Sequence, residues 1–254
     1  MRTTCRVLAL LALFGAAPTW AEEAPSRRLL LLGFEGSDAR LIGDVAERLR
    51  AALGVAVEVL PERPAPDERG AVDLRPQQLP RLAQALGLET TGTPEALERR
   101  IRAALKKDRR PEARQAEALV DDACSVRLSA QALANQAAQV AGERLKAEGV
   151  VGVVGVTDRD MTAGELNFLF GHAERAARAG VISYVRFRAG ARGEALAHRT
   201  AVQALSTTGV LLGLGRCQQA TCARAFPNSL EEHDRKQEAF CAGCRPTVER
   251  ALGR

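Results

Sequence analysis

Histidine is almost missing from this chain: 254 residues hold only His172, His198 and His233. Their spacing follows no chelating pattern, so a metal centre built from histidines is not written in the sequence. Lysine is nearly as scarce, at Lys106, Lys107, Lys146 and Lys236. Arginine carries the positive charge, and the formal net charge of +5 is too slight to mark a nucleic-acid or membrane-surface binder. No G-x-S-x-G occurs, nor a Cys/His arrangement that would build a nucleophile, which removes the common serine and cysteine hydrolases. Beyond Ala21 no run reaches the roughly 20 apolar residues that a bilayer span needs.

The N-terminal residues are of another kind. Met1-Arg2, an apolar run from Val7 to Ala17 and the small residues before Glu22-Glu23 predict a secretory signal peptide, residues 1–21, cleaved after Ala21. The alternative is an uncleaved anchor, for which the run is short. The expected location is outside the cytoplasm, periplasmic or secreted. Arg2 and Arg6 leave with the signal and no acid does, so +5 becomes +3 in the mature chain. Cys5 leaves as well, so five of the six cysteines stay. An odd number weakens a purely disulfide-built framework.

Residues 22–254 read as one α/β (α+β) domain. Arg28–Phe34 has the length of a buried strand, and Ser37-Asp38 can cap a helix with Leu41, Ile42, Val45, Leu49 and Leu53 on its apolar face. Gly54 ends that helix, and Val55–Leu60 alternates as a second strand, which implies a right-handed crossover. Pro61–Gly70 reads as a loop. A helical insertion follows at about 73–110, with two short helices inside Leu79–Ile101. It resembles the SAP module of DNA-binding proteins in its G-L-x-x-x-G step (Gly87–Gly92) and in Leu97 and Arg100-Ile101. An amphipathic pair packed on the main domain explains the same pattern, so nucleic acid is the lesser expectation. Glu112–Ala123 and Arg127–Ala147 read as helices, Val150–Val156 as a buried strand, Leu166–Ala173 as an edge segment and Gly180–Phe187 as a strand. Glu194–Leu212 is a long helix that runs into a glycine-rich bend.

Cys217-x4-Cys222 and Cys241-x2-Cys244 are two close pairs separated by a loop. That spacing suits a tetrahedral thiolate zinc, and two disulfides are the alternative in an oxidising compartment. Cys124 stands apart as an expected buried thiol.

Four stretches together resemble the archaemetzincin family of zinc metallopeptidases. They are V-T-D-R-D (Val156–Asp160), L-N-F-L-F-G-H-A (Leu166–Ala173), G-V-I-S-Y-V-R-F (Gly180–Phe187), and G-L-G-R-C-x4-C with F-P-N-S-L-E-E-H-D-R-K and F-C-x-x-C after it. The resemblance implies a metzincin-like twisted mixed sheet and a long active-site helix. It also implies a catalytic zinc on three histidines and a second zinc on four cysteines, in a C-terminal subdomain at about 214–254. It favours zinc over disulfides at Cys217, Cys222, Cys241 and Cys244.

The catalytic motif does not carry over. Where metzincins write H-E-x-x-H-x-x-G-x-x-H, this chain writes S-T-T-G-V-L-L-G-L-G-R (Ser206–Arg216). The three histidines fall on Ser206, Val210 and Arg216, the glutamate on Thr207, and the Met-turn methionine on Arg224. A neutral hydroxyl is a poor zinc ligand, valine offers none, and arginine puts a fixed cation where a dication would sit. Thr207 cannot act as a general base near neutral pH. Gly209 and Gly213 keep the frame.

The sequence therefore points to an exported archaemetzincin homologue without catalytic residues. One structural zinc and no catalytic ion are expected, with peptide or protein binding along the old cleft between Gly180–Phe187 and the altered helix. Two alternatives stand beside it. One is a hydrolase with a rearranged site using His172, His198 or Asp160; the other is a nucleic-acid binder acting through the SAP-like segment.

Overall fold

The computed structural model describes residues 27–254 apart from 109, 110 and 165, so the expected signal peptide lies outside the described residues. The first crossover runs β1 (Arg28–Gly33), α1 (Ala39–Leu53), β2 (Ala56–Val59). The four leucines of β1 are fully buried because the strand is covered on both faces: Leu29 and Leu31 join one core, Leu30 and Leu32 another. Alternation along an extended chain sends successive side chains to opposite faces, so an unbroken apolar run is what a central strand needs.

Asp38 caps α1, its carboxylate accepting from the amides of Arg40 and Leu41, and Gly54 closes the helix in the left-handed region at φ 61°. Removing the cap orphans those N–H groups. Asp38→Ala should destabilise the protein by about 1 kcal/mol in urea unfolding; an unchanged midpoint would deny the cap its role.

Three helices follow, α2 (Arg75–Ala85), α3 (Pro94–Leu105) and α4 (Pro111–Cys124). They share a small core of their own, with Leu79, Ala83, Leu97, Ile101, Leu105 and Val120 among its members. Thr93 caps α3 with Pro94 at its first turn. The sequence places the two SAP-like helices in a segment ending near 110, and in the structure α4 completes their core. A bridge between Val72 and Arg127 closes the base of this unit.

Beyond it come β3 (Leu128–Ser129), α5 (Ala130–Lys146), β4 (Val150–Thr157), β5 (Met161–Thr162), β6 (Gly171–Glu174), β7 (Ala179–Ser183) and α6 (Gly193–Leu211), then two short helices, α7 (Leu230–Asp234) and α8 (Arg245–Ala251). The main sheet has the order β2-β1-β4-β7-β6, parallel except for the antiparallel β6 at the edge. Helices α1 and α6 cover one face and α5 the other. No helix among the described residues is long and apolar enough to cross a membrane.

Two expectations shift. The helix expected from Arg127 begins only at Ala130, because Arg127 is extended and fully buried in an ion network and β3 pairs with β5. The strand expected through Phe187 ends at Ser183. Tyr184 still bonds to Thr157, and the chain then turns through a short 3-10 segment, Arg186–Arg188, that buries Phe187. Since β7 lies between β4 and β6, the edge on this side of the sheet belongs to β6, with β2 at the other.

Candidate functional site

The four cysteines converge. All four Sγ atoms lie within 4.8 Å of one another, with Cys217 and Cys241 3.6 Å apart and Cys222 and Cys244 4.0 Å apart. A disulfide needs about 2.05 Å between sulfurs. Four thiolates about 2.3 Å from one ion at tetrahedral angles sit about 3.8 Å apart. The observed separations match the metal geometry, so the residues fit zinc. Backbone amides are aimed at the sulfurs: Gln219 donates to Cys217, and both Arg224 and Cys241 donate to Cys222, each at 3.4 Å. Such donors favour the thiolate. The Cys241 thiol is lowered to about 7, chiefly by a backbone hydrogen bond from Cys244. Among the described residues no other group of three or more His, Cys, Asp or Glu side chains is placed to share a metal ion.

Helix α6 carries Ser206, Thr207 and Val210, and Arg216 lies beyond its end. Ser206 and Thr207 are buried and Val210 is partly buried. Thr207 packs straight against the sheet: a Cβ added at Gly180 would lie 2.5 Å from its Cγ2, and one at Gly171 2.8 Å from its Oγ1. Glycine at both positions is what lets α6 approach this closely. Gly209 leaves room for Phe240 and for the stem of Arg224. The Arg224 guanidinium then reaches back to Ser206 Oγ and to the carbonyl of Leu214, each at 3.4 Å. Burial lowers the pKa of Arg224, and the charge of Arg216 lowers it further. Arg224 thus places a cation against Ser206 and feels a second cation at Arg216.

The alternative acid–base residues do not come together. His172 points to the α5 side, its Nε2 3.1 Å from Gln131 Oε1, and its pKa is lowered by burial. His198 lies 2.8 Å from Glu238 Oε1, an oxygen that also pairs with Arg48. Asp160 is held by Arg127 at 2.9 Å and by Arg186 at 2.6 Å; with Asp122 they form a two-Arg, two-Asp network tying α4 to the main sheet. Three arginines of the SAP-like segment are engaged as well. Arg75 pairs with Asp73 and Glu95, Arg102 with Glu98 and Asp121, and Arg100 donates to the carbonyls of Glu89 and Thr91.

His233, which lies between the two cysteine pairs in sequence, is fully buried, its ring 4.7 Å from that of Phe187. Neither ring nitrogen has a hydrogen-bond partner, and burial lowers its pKa to about 3. Lys236, three residues on, is also buried with an unpartnered Nζ and is lowered to about 8, first by burial and then by the charge of Arg224. Asp234 between them pairs with Arg199 of α6 through both oxygens, at 2.6 and 2.7 Å, and clamps α7 onto α6. The only sequence sign of these two buried side chains, with the more exposed Asp234 between them, was the H-D-R-K tetrad, which reads equally well as a loop. Cys124 is half-buried, and burial raises it to about 11.

A family model described as peptidase family M54 matches residues 116–250, just over half of the chain. The archaemetzincin of Methanopyrus kandleri is 35% identical over 102 residues, 40% of this chain and 58% of that protein. The archaemetzincin of Archaeoglobus fulgidus is 36% identical over 95 residues, 37% of this chain and 58% of that protein. The chain thus matches a little over half the length of these curated relatives. The crystal structure of the Methanopyrus kandleri protein superposes with a TM-score of 0.61 at 22% identity, covering 92% of this chain and 99% of that one. That of the Archaeoglobus fulgidus protein, complexed with malonate, gives 0.55 at 17% identity over 87% and 99%. These two likenesses concern the fold.

Proposed function

This chain belongs to peptidase family M54, and from that premise we propose that it is an exported, catalytically silent archaemetzincin that binds peptide or protein and holds one structural zinc. One observation carries this: Arg224 extends to Ser206 beside Arg216, so two guanidinium groups stand among the positions that in the family motif belong to zinc ligands. A dication has no donor set there and faces like charge. Without the metal no water is acidified and no carbonyl polarised. The cysteine cluster keeps every ligand that its metal requires.

The binding surface is the edge of β6 above α6. An edge strand offers unpaired backbone N–H and C=O groups to an extended peptide, the usual geometry of strand addition.

Elemental analysis of the purified protein should return one zinc per chain, lost in Cys241→Ser. Two zinc ions, or a peptidase activity that responds to Ser206→Ala, would overturn the proposal.

A further inference from the structure

The helices α2, α3 and α4 make an insertion with both of its ends in one place. Their core, built on Leu79, Leu97, Ile101 and Val120, shares no residue with the two cores of the main sheet. The chain enters the insertion at Val72 and leaves it at Arg127. Those two residues bridge each other, amide to carbonyl in both directions, at 2.7 and 3.4 Å. A lobe with its own core, on a neck of two antiparallel segments, turns about that neck unless a large apolar interface stops it. The ties beyond the neck are polar instead. Asp122 of α4 accepts from Arg186 at 2.5 Å, and Gln78 of α2 donates to Asn167 at 3.1 Å.

Both ties end beside β6. Asn167 lies four residues before Gly171, where that strand begins. Arg186 also lies over the ring of Phe168, 3.9 Å from its centroid, and Phe168 meets Phe170 edge to face at 5.5 Å. Ser183 of β7 donates to the carbonyl of Phe170 at 2.9 Å. By the alternation of an antiparallel pair, the backbone groups of Gly171 and Ala173 then turn away from β7, towards the open edge. The lobe therefore holds Asn167 and Phe168, which lead into the edge where a peptide strand would pair.

This latch is made of charge that can be removed without stranding any. Arg127 is fully buried and pairs at 2.9 Å with Asp160, whose side chain is 11% exposed. Arg186 and Asp122 are more open, at 25% and 34%. Opposite charges at such exposure hold weakly and are screened by salt. Neutralising both leaves the buried pair balanced. Asp122 also accepts from Arg127, through its carboxylate and its carbonyl, and asparagine keeps an acceptor for each.

We propose that α2, α3 and α4 form a hinged lobe, latched by Asp122 on Arg186, that closes on the Gly171 end of the β6 edge and opens to admit a peptide strand. The occupant rests on the peptide-binding reading above; the hinge does not.

The test is hydrogen–deuterium exchange of the zinc-loaded protein, read residue by residue by NMR, for the parent and for the double variant Asp122→Asn/Arg186→Gln. The amides of Val72, Arg127 and Leu169 should exchange ten-fold or more faster in the variant. Those of Ile101 in α3 and Val154 in β4 should keep the parent rates, since each lies in a core of its own. In the parent about 1 M salt, which shortens the Debye length to about 3 Å, should move the same amides the same way without any substitution. The probe for the edge is a blocked heptapeptide of alternating threonine and valine. It should slow the amides of Gly171 and Ala173, and bind the variant at least three-fold tighter, because the closed state no longer competes. Unchanged exchange in the variant and in salt, with the peptide bound equally by both proteins, would overturn the hinge and leave the peptide reading standing. Faster exchange at the neck with no peptide bound by either protein would uphold the hinge and remove the peptide from it. Equal affinity beside faster neck exchange would overturn the gate. Faster exchange that spreads through α3 and β4 alike would show one cooperative body and overturn the lobe.

Discussion

Replacing Cys222 with serine should remove the zinc and lower the melting temperature by roughly 10–20 °C, far more than fraying of the C-terminal residues would cost. The size follows from the packing. Cys222 is buried in the same core as Ala223, Phe240, Val248 and Leu252, and that core continues without a break into α1 and α6 through Leu49, Leu53, Ala201 and Leu205. Arg254 donates to the carbonyl of Leu53, so the last residue is fastened to the first helix. The cysteine cluster joins the loops at 217–222 and 241–244, which the short helices α7 and α8, of five and seven residues, do little to organise by themselves. Structural zinc contributes about 10–16 kcal/mol of apparent binding energy in small zinc folds, comparable with the ~5–15 kcal/mol stability of a whole domain. Loss of even ~5 kcal/mol shifts the midpoint of a domain this size by roughly 10–20 °C. A strong chelator should reproduce the effect and a mild reductant should not. If the reductant destabilises the protein and the chelator leaves it unchanged, the cysteines are disulfide-bonded and the zinc assignment falls.

The sequence made the scaffold easy to read where burial is enforced by a period. Leu29–Leu32 and Val150–Val156 are unbroken apolar runs because both sheet faces are covered, and α1 announces itself through Asp38, its heptad-like leucines and Gly54. The cysteine pairs stood out by their short spacing with zinc and disulfides both open, and their convergence within 4.8 Å came only with the structure. What could not be read was the company each charged residue keeps. Arg127 sits in a stretch of helical composition, yet it is drawn out of the helix by Asp122 and Asp160, 5 and 33 residues away in sequence. The β6 edge was visible as a segment, but its strand shrinks to four residues because Leu166–Phe170 is spent on a crossing loop in which Phe168 stacks under Arg186. The residues Ser206, Thr207, Val210 and Arg216 could be listed from the sequence alone. That Arg224 reaches back to Ser206 depends on Gly209 lacking a side chain, a matter of depth rather than order. His233 and Lys236 were hidden for the same reason: nothing in H-D-R-K says that α7 lies face down on α6.

That buried face has a consequence for acid stability, which should fall steeply between pH 6.5 and 4 and much less so in His233→Leu. His233 has an ordinary pKa of 6.5 in the unfolded chain and about 3 in the folded one, lowered first by burial and then by the charge of Lys236; Asp234 opposes the shift, while His198 and Arg199 add to it. Because the folded protein holds the ring neutral, the unfolded chain binds the extra proton as the pH drops below 6.5. Stability from this residue is therefore complete above 6.5 and is withdrawn progressively as the pH falls towards 3. Each pH unit in that window costs about 1.4 kcal/mol, so the loss at pH 4 is on the order of 3 kcal/mol. The leucine variant gives up no hydrogen bond, since neither ring nitrogen has a partner, and it keeps an apolar side chain against Phe187. It should match the parent within about 1 kcal/mol at pH 7.5 and exceed it at pH 4. Protonation of the cysteine thiolates also destabilises the protein in acid, but it does so equally in both. The difference between the two urea-unfolding curves thus isolates His233. Parallel stability profiles from pH 7.5 to 4 would mean that the ring is reached by water and takes up its proton in the folded state.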